Sequence, residues 1–209
     1  MDRKEVLRYL GYEDQDIDDD LNQKIDDNIE VLSKIKGRTI YQVFDIAKGD
    51  MISVENTKLF LKGRSIQYIL SQSKQVIIFA VTLGSEVDQM ILKASYLSKV
   101  DQMILDVCAS VRIEELLDEM VEGIDRHQTP RFSPGYGDLD LSIQKTLVEV
   151  IHGRRIGLTV TDSSLLIPKK SVTGIIGLSD SEMDVAYRFC DDCLKRTSCD
   201  FKICSREKS

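Results

Sequence analysis

Arg131-Phe132-Ser133-Pro134-Gly135-Tyr136-Gly137-Asp138 gathers a permanent cation, a proline, two glycines and a tyrosine into eight residues. Arg131 presents a planar fork of donors matched to a carboxylate or phosphate, and Tyr136 a flat face for a base or a cation. The proline stiffens the entry to this stretch, while the glycines let the backbone approach whatever is bound. The same residues also make an ordinary surface turn, so their chemistry alone leaves both readings open.

A second group with chemical capacity closes the chain. Cys190, Cys193, Cys199 and Cys204 fall within the last twenty residues, while the fifth cysteine, Cys108, lies in a helical pattern. Thiols in a reducing compartment stay unpaired, so the cluster reads as a metal or redox site rather than a disulfide framework. Cys190-x-x-Cys193 followed by Cys199 and Cys204 supplies four thiolates for zinc or an iron–sulfur cluster. The second pair lacks the tight spacing of a zinc ribbon, and redox thiols or no function are the alternatives.

The 209 residues, 42% of them apolar and 30% charged, suffice for one substantial core. Net charge is −7 and the sequence pI is about 5.0, with acidic residues crowded between Asp14 and Asp27. A nucleic-acid surface needs clustered Lys and Arg, so nucleic acid is not an expected partner. No window approaches eighteen uncharged apolar residues and none follows Met1-Asp2-Arg3-Lys4-Glu5, so no membrane partner is expected and the location read is cytoplasmic.

The elements that must position these groups follow from periodicity. A short helix from Asp2 to Leu10 closes at Gly11. A longer one from about Asp16 to Ile35 is marked by Ile17, Leu21, Ile25, Ile29 and Leu32. Thr39 to Ile46 alternates as a strand, and Met51–Ser53 and Thr57–Leu61 read as strands joined through Asn56. Ser65 is the expected cap of a following helix. Lys74 to Val81 is nearly all apolar, as a strand covered on both faces would be, and ends at Thr82-Leu83-Gly84 before Ser85, read as the next cap. Val100 to Ile124 is the longest helical pattern, with Met103, Ile104, Val107, Cys108, Val111 and Leu116 along its expected buried side and Glu114 and Glu115 towards its end. Asp140 or Ser142 should cap a helix to Ile151. Strands are expected at Ile156–Thr161 and Ser171–Leu178, joined by a stretch from Asp162 to Lys170 rich in hydroxyls and lysines that suits a second wall for a polar ligand.

Two blocks together resemble one family. Arg131-Phe-Ser-Pro-Gly-Tyr136 is similar to the Arg-x-x-x-Gly-Tyr signature of the activation domain of cobalamin-dependent methionine synthase. Ile156-Gly-Leu-Thr-Val-Thr-Asp-Ser163, then Pro168, then Ser171-Val-Thr-Gly174, resembles that domain's Leu-Thr-Glu-Ser, Pro and Ser-Val-Ser-Gly run in order and spacing. The resemblance implies an α+β domain, a twisted antiparallel sheet flanked by helices, that binds S-adenosylmethionine. It divides the chain into N-terminal helices and strands at 1–73, a ligand-binding core at 74–182 and a cysteine-rich tail at 183–209.

Carried onto this sequence, the resemblance implies that Arg131, Ser133, Gly135 and Tyr136 hold the ligand, with Glu114 the carboxylate for its ammonium. The implied role is reactivation: cob(I)alamin that has oxidised to cob(II)alamin is reductively methylated from S-adenosylmethionine. The cobalamin comes from a corrinoid-binding methionine synthase subunit, and the electron from a donor such as flavodoxin or ferredoxin. Cobalt is then the nucleophile, and no Ser, Cys or His of the chain is expected to attack. The chain has no Asp-x-His-x-x-Gly corrinoid motif and only two histidines, so it resembles a stand-alone activation protein serving a separate subunit. Gly137-Asp138-Leu139-Asp140 and the cysteine tail depart from the family pattern. Two other readings are an activator of another corrinoid methyltransferase, and a non-catalytic metal-binding interaction module in which the tail is the functional part.

Overall fold

The computed structural model describes residues 1–12 and 15–183. In chain order the elements are helices α1 (Arg3–Tyr9) and α2 (Asp19–Ser33), and strands β1 (Arg38–Ala47), β2 (Ile52–Val54) and β3 (Phe60–Leu61). Then come α3 (Arg64–Ile69), β4 (Gln75–Thr82), α4 (Ser85–Leu97), α5 (Lys99–Glu122) and β5 (His127–Gln128). The described chain ends with α6 (Gln144–Val150), β6 (Thr159–Val160), β7 (Leu166–Ile167) and β8 (Ser171–Ser179). Single 3-10 turns at Leu141–Ile143 and Gly153–Ile156 flank α6.

The apolar run of β4 is explained by its place in the middle of a six-stranded antiparallel sheet of order β3-β2-β1-β4-β8-β5. Every residue of β4 after Gln75 is buried, because helices cover both faces. Ile77, Phe79 and Val81, with Ile176 and Leu178 of β8, pack against α1, α2, α4 and α5. Val76, Ile78 and Ala80, with Ile175, pack on the other face against α3, α6 and the buried Phe132. The sheet thus separates two apolar layers, and β4 and β8 contribute to both. A two-stranded hairpin, β6 with β7, stands apart from this sheet. No helix among the described residues is long and apolar enough to cross a membrane.

Several local expectations are corrected. Ser65 and Ser85 do not cap their helices: Gly63 and Gly84 hold the N-cap positions, with φ of 145° and 87° that an L side chain rarely adopts. Met103 faces outward, 50% exposed, because the buried side of α5 runs through Ile104, Cys108 and Val111. The strand expected at Ile156–Thr161 shrinks to two residues, since the preceding 3-10 turn ends on Gly157 at φ 77°. The strand expected at Thr57–Leu61 shrinks to Phe60–Leu61. Asp140 caps the 3-10 turn Leu141–Ile143, accepting from the Ser142 N–H at 2.7 Å, whereas α6 itself starts after Ile143 with no side-chain cap. Cys190, Cys193, Cys199 and Cys204 lie outside the described residues.

Gly174 of the Ser-Val-Thr-Gly run has a specific packing reason. It pairs with Phe79, and a Cβ there would lie 2.5 Å from the Phe79 ring and 3.2 Å from the Phe132 carbonyl. Phe79 is fully buried and its ring has nowhere to retreat. Gly174→Ala is therefore expected to lower the unfolding free energy by about 1–3 kcal/mol, read from urea denaturation; an unchanged midpoint would contradict this packing.

Candidate functional site

The 131–138 loop is held at both ends. Phe132 forms an isolated antiparallel bridge with Ile175, its N–H donating to the Ile175 carbonyl at 2.9 Å and its carbonyl accepting from the Ile175 N–H at 2.8 Å. At the other end the Asp138 carboxylate accepts from the Arg64 and Ser65 N–H groups, at 2.6 and 3.0 Å. It thus caps α3 from 74 residues downstream, in place of the serine expected there. Burial alone would raise the Asp138 carboxyl, but the bonds from Arg64 and Ser65 outweigh it and hold the group below the usual carboxylate range.

Between these anchors the backbone closes on itself. The Gly135 N–H donates to the Leu139 carbonyl, the Tyr136 N–H to Ser133 and the Leu139 N–H to Tyr136, all at 2.9–3.0 Å. Gly135 takes φ 88° and Gly137 φ 52°, and a Cβ on Gly137 would meet the Ser65 hydroxyl at 2.5 Å. The loop is a locked turn, and the Gly135 N–H is committed within it, leaving the carbonyl as the polar backbone group that residue can offer. The Tyr136 ring stands edge-on to Phe132 with centroids 6.0 Å apart.

Arg131 reaches back to α5. Its Nη1 lies 2.8 Å from Asp118 and its Nη2 3.3 Å from Glu114, carboxylates four residues apart on one helix face. One cation against two carboxylates leaves a net negative cluster. Burial pushes the Glu114 carboxyl above the usual range; Arg131 opposes that and Asp118 adds to it. Glu115 turns away to the chain's amino group and to Arg112, so Glu114 is the glutamate beside Arg131. The Tyr136 ring is half exposed, yet desolvation at its hydroxyl, then the Glu114 charge, raise the phenol. Tyr136 therefore adjoins the charged cluster.

Tyr136 also lines a cavity of about 430 Å³, together with Ser133 and Pro134. The facing wall comes from Ser164, Leu165, Leu166 and Lys169 of the β6–β8 connection and from Ser171, Val172 and Thr173 of β8. That volume falls in the range of small-molecule sites. Lys169 is the charged residue of this lining, and no ion pair among the described residues engages it. Its neighbour Lys170 is tied to Asp106 and Ser110 instead, and Asp88 accepts from both of their N–H groups. At the base, the Gln144 amide donates to the Thr173 hydroxyl at 2.7 Å, with both residues buried.

Of the residues singled out in the sequence, Ser133 and Tyr136 line the cavity, whereas Arg131, Gly135 and Glu114 are not among its lining residues; Arg131 and Glu114 form a pair whose carboxylate charge reaches the Tyr136 hydroxyl. Sequence reasoning missed Gln144, Asp118 and the capping role of Asp138. Asp118 was signalled by its spacing of four from Glu114; nothing local signalled the other two. The buried Cys108 thiol is pushed up to about 12 by desolvation, so it remains protonated and packs as an apolar group. Among the described residues no cluster of His, Cys, Asp and Glu is arranged to hold a metal ion.

No protein-family model and no curated protein matches this chain. Among solved structures it is similar to one described as the crystal structure of the MetH reactivation domain bound to AdoHcy, with a TM-score of 0.64 and 16% identity over 84% of this chain and 70% of that one. The likeness establishes the fold: an α+β domain with an antiparallel sheet flanked by helices, as the resemblance implied.

Because Asp138 ties the loop to α3, Asp138→Ala is expected to cost about 1 kcal/mol of stability, as loss of a helix cap does. Its folded-state carboxyl sits below the unfolded one, so the contribution is whole above about pH 4 and fades as acid protonates it. Urea melts of both proteins across this range should converge at low pH; parallel curves would remove the linkage.

Proposed function

We propose that the chain binds S-adenosylmethionine in the cavity between the 131–138 loop and the β6–β8 connection. It does so as a reactivation partner for a cobalamin-dependent methionine synthase lacking its own activation domain. The observation that carries this reading is convergence: Ser133, Pro134 and Tyr136 of the Arg-x-x-x-Gly-Tyr block and the Ser171-Val172-Thr173 run, far apart in sequence, line one cavity. The fold shared with a reactivation domain bound to AdoHcy supports it.

The charges fit. S-adenosylmethionine carries a carboxylate, an ammonium and a sulfonium, one net positive charge. The Arg131–Glu114–Asp118 cluster, net negative, favours the two cationic groups, with Glu114 taking the ammonium. Arg131 has donors left after its two carboxylate contacts and takes the ligand's carboxylate, assisted by Lys169 of the cavity lining. Tyr136 lies against the adenine or the sulfonium. The corrinoid, carried by the partner subunit, supplies the nucleophile, and an external donor such as flavodoxin or ferredoxin supplies the electron. This chain's residues hold the methyl donor in one orientation, and no side chain acts as a nucleophile. We further assign Cys190, Cys193, Cys199 and Cys204 to a zinc or iron–sulfur site.

Calorimetry tests the ligand. Arg131→Ala should weaken S-adenosylmethionine by about 1.5–3 kcal/mol, and absence of binding at millimolar ligand would sink the proposal. Because Glu114 titrates at a raised value, acidification should discharge it first and lower affinity for the cationic ligand. Glu114→Gln should flatten that pH dependence, and AdoHcy, lacking the sulfonium, should respond less. For the tail, protein prepared with and without oxygen is compared by visible absorbance and metal analysis; colourless, metal-free protein from both preparations refutes the metal site.

A further inference from the structure

A second cavity, about 350 Å³, is lined by other residues of α6 and by the turn that follows it. Its floor is apolar, built by Val148 and Leu158, and its rim carries Lys145, His152, Arg154 and Arg155. Glu149 is the single carboxylate of the lining. Among the described residues, none of Lys145, Arg154 and Arg155 has a carboxylate partner, although twelve ion pairs form elsewhere on the described surface. Three cations against one carboxylate around a single concavity make a locally positive patch on a chain whose net charge is −7.

The backbone of the turn that carries the two arginines is fixed. His152 adopts the left-handed conformation at φ 56°, unfavourable for a residue with a side chain, and so turns the chain sharply from α6 into the 3-10 turn that carries both arginines. The Arg155 N–H donates to the His152 carbonyl at 2.9 Å. Gly153 is packed so closely that a Cβ would lie 2.7 Å from Val148. A further guanidinium, Arg38, packs over Gly157 next to the lining, within 3.4 Å of where its Cβ would stand. Backbone strain beside clustered, unpaired guanidinium groups and an apolar floor describes a preformed receptor for a dianion with an organic body.

We propose that this cavity binds a small phosphate monoester: Arg154, Arg155 and Lys145 take the phosphate, and Val148 and Leu158 the carbon skeleton. The site is separate from the S-adenosylmethionine cavity and does not depend on that assignment. Two sources share the chemistry, a nucleotide and a sugar phosphate.

Isothermal titration of the full chain with AMP, glucose 6-phosphate, inorganic phosphate and adenosine tests it. At least one of the two esters should bind, inorganic phosphate at least about tenfold more weakly and adenosine not at all, since the charge-assisted bonds and the apolar contacts are both required. AMP alone binding identifies a nucleotide site, and glucose 6-phosphate alone a sugar-phosphate site. Arg154→Ala combined with Arg155→Ala should reduce ester affinity at least about tenfold. Lys145→Glu, on the exposed face of α6, should do the same without touching the turn, and decides the matter if the double variant does not fold. No heat from either ester at millimolar concentration, or affinity unaltered by Lys145→Glu, overturns the proposal.

Discussion

The candidate site depends on two sets of backbone hydrogen bonds that fasten the ends of one loop. Phe132 is stitched to Ile175 as though the loop began as an added strand of the sheet, and Asp138 is stitched to the free N–H groups of α3. A helix start must find acceptors for its first N–H groups. Here the acceptor comes from the loop, so α3 and the loop order each other. Everything chemical in the stretch is thereby given an address. Arg131 is placed before the first anchor, where it meets α5, and Tyr136 between the anchors, where it meets the cavity. A flexible loop with the same residues would have to lose entropy on binding; this one has lost it on folding.

The electrostatics follow from that placement. Arg131 does not wait as an isolated cation for a carboxylate, because Glu114 and Asp118 already engage it. The cluster therefore presents a negative field with an embedded guanidinium, a pattern suited to a zwitterion that carries an additional cation. Desolvation at Glu114 strengthens its pairing with Arg131, since a carboxylate removed from water gains more from a cationic partner than a hydrated one does. Lys169 is the charged residue of the cavity lining itself, while the Arg131–Glu114–Asp118 cluster stands outside that lining.

Much of this arrangement was legible in the residues. The two-sided burial of β4 followed from its unbroken apolar run, and α2 and α5 from spacings of three and four, because each pattern is produced by the packing it predicts. The loop and the connection facing it were legible as chemistry and as a resemblance. What escaped was set by long-range contact. Ser65 is a good capping residue by type, but the cap comes from Asp138, whose contribution no local window contains. Gln144 looked like any polar helix residue, yet its amide is buried on Thr173 because α6 lies against β8. Ile156–Thr161 was expected as one strand, and the positive φ at Gly157 cut it short.

The two cavities share their walls. Gln144 of α6 lines the first, while Lys145, Val148 and Glu149 of the same helix line the second. The hairpin is shared likewise: Leu165 and Leu166 face the first cavity, and Thr159 and Val160 the second. The hairpin is short and joins the main sheet only through the chain that follows it, so its position is set mostly by what packs on either side. A ligand in one cavity that restrains α6 and the hairpin would pay part of the ordering cost for a ligand in the other. Such coupling is reciprocal by thermodynamic necessity, each ligand raising the other's affinity by the same factor. The helix and the hairpin are thus the elements through which a phosphate ester could set how readily the methyl donor is held.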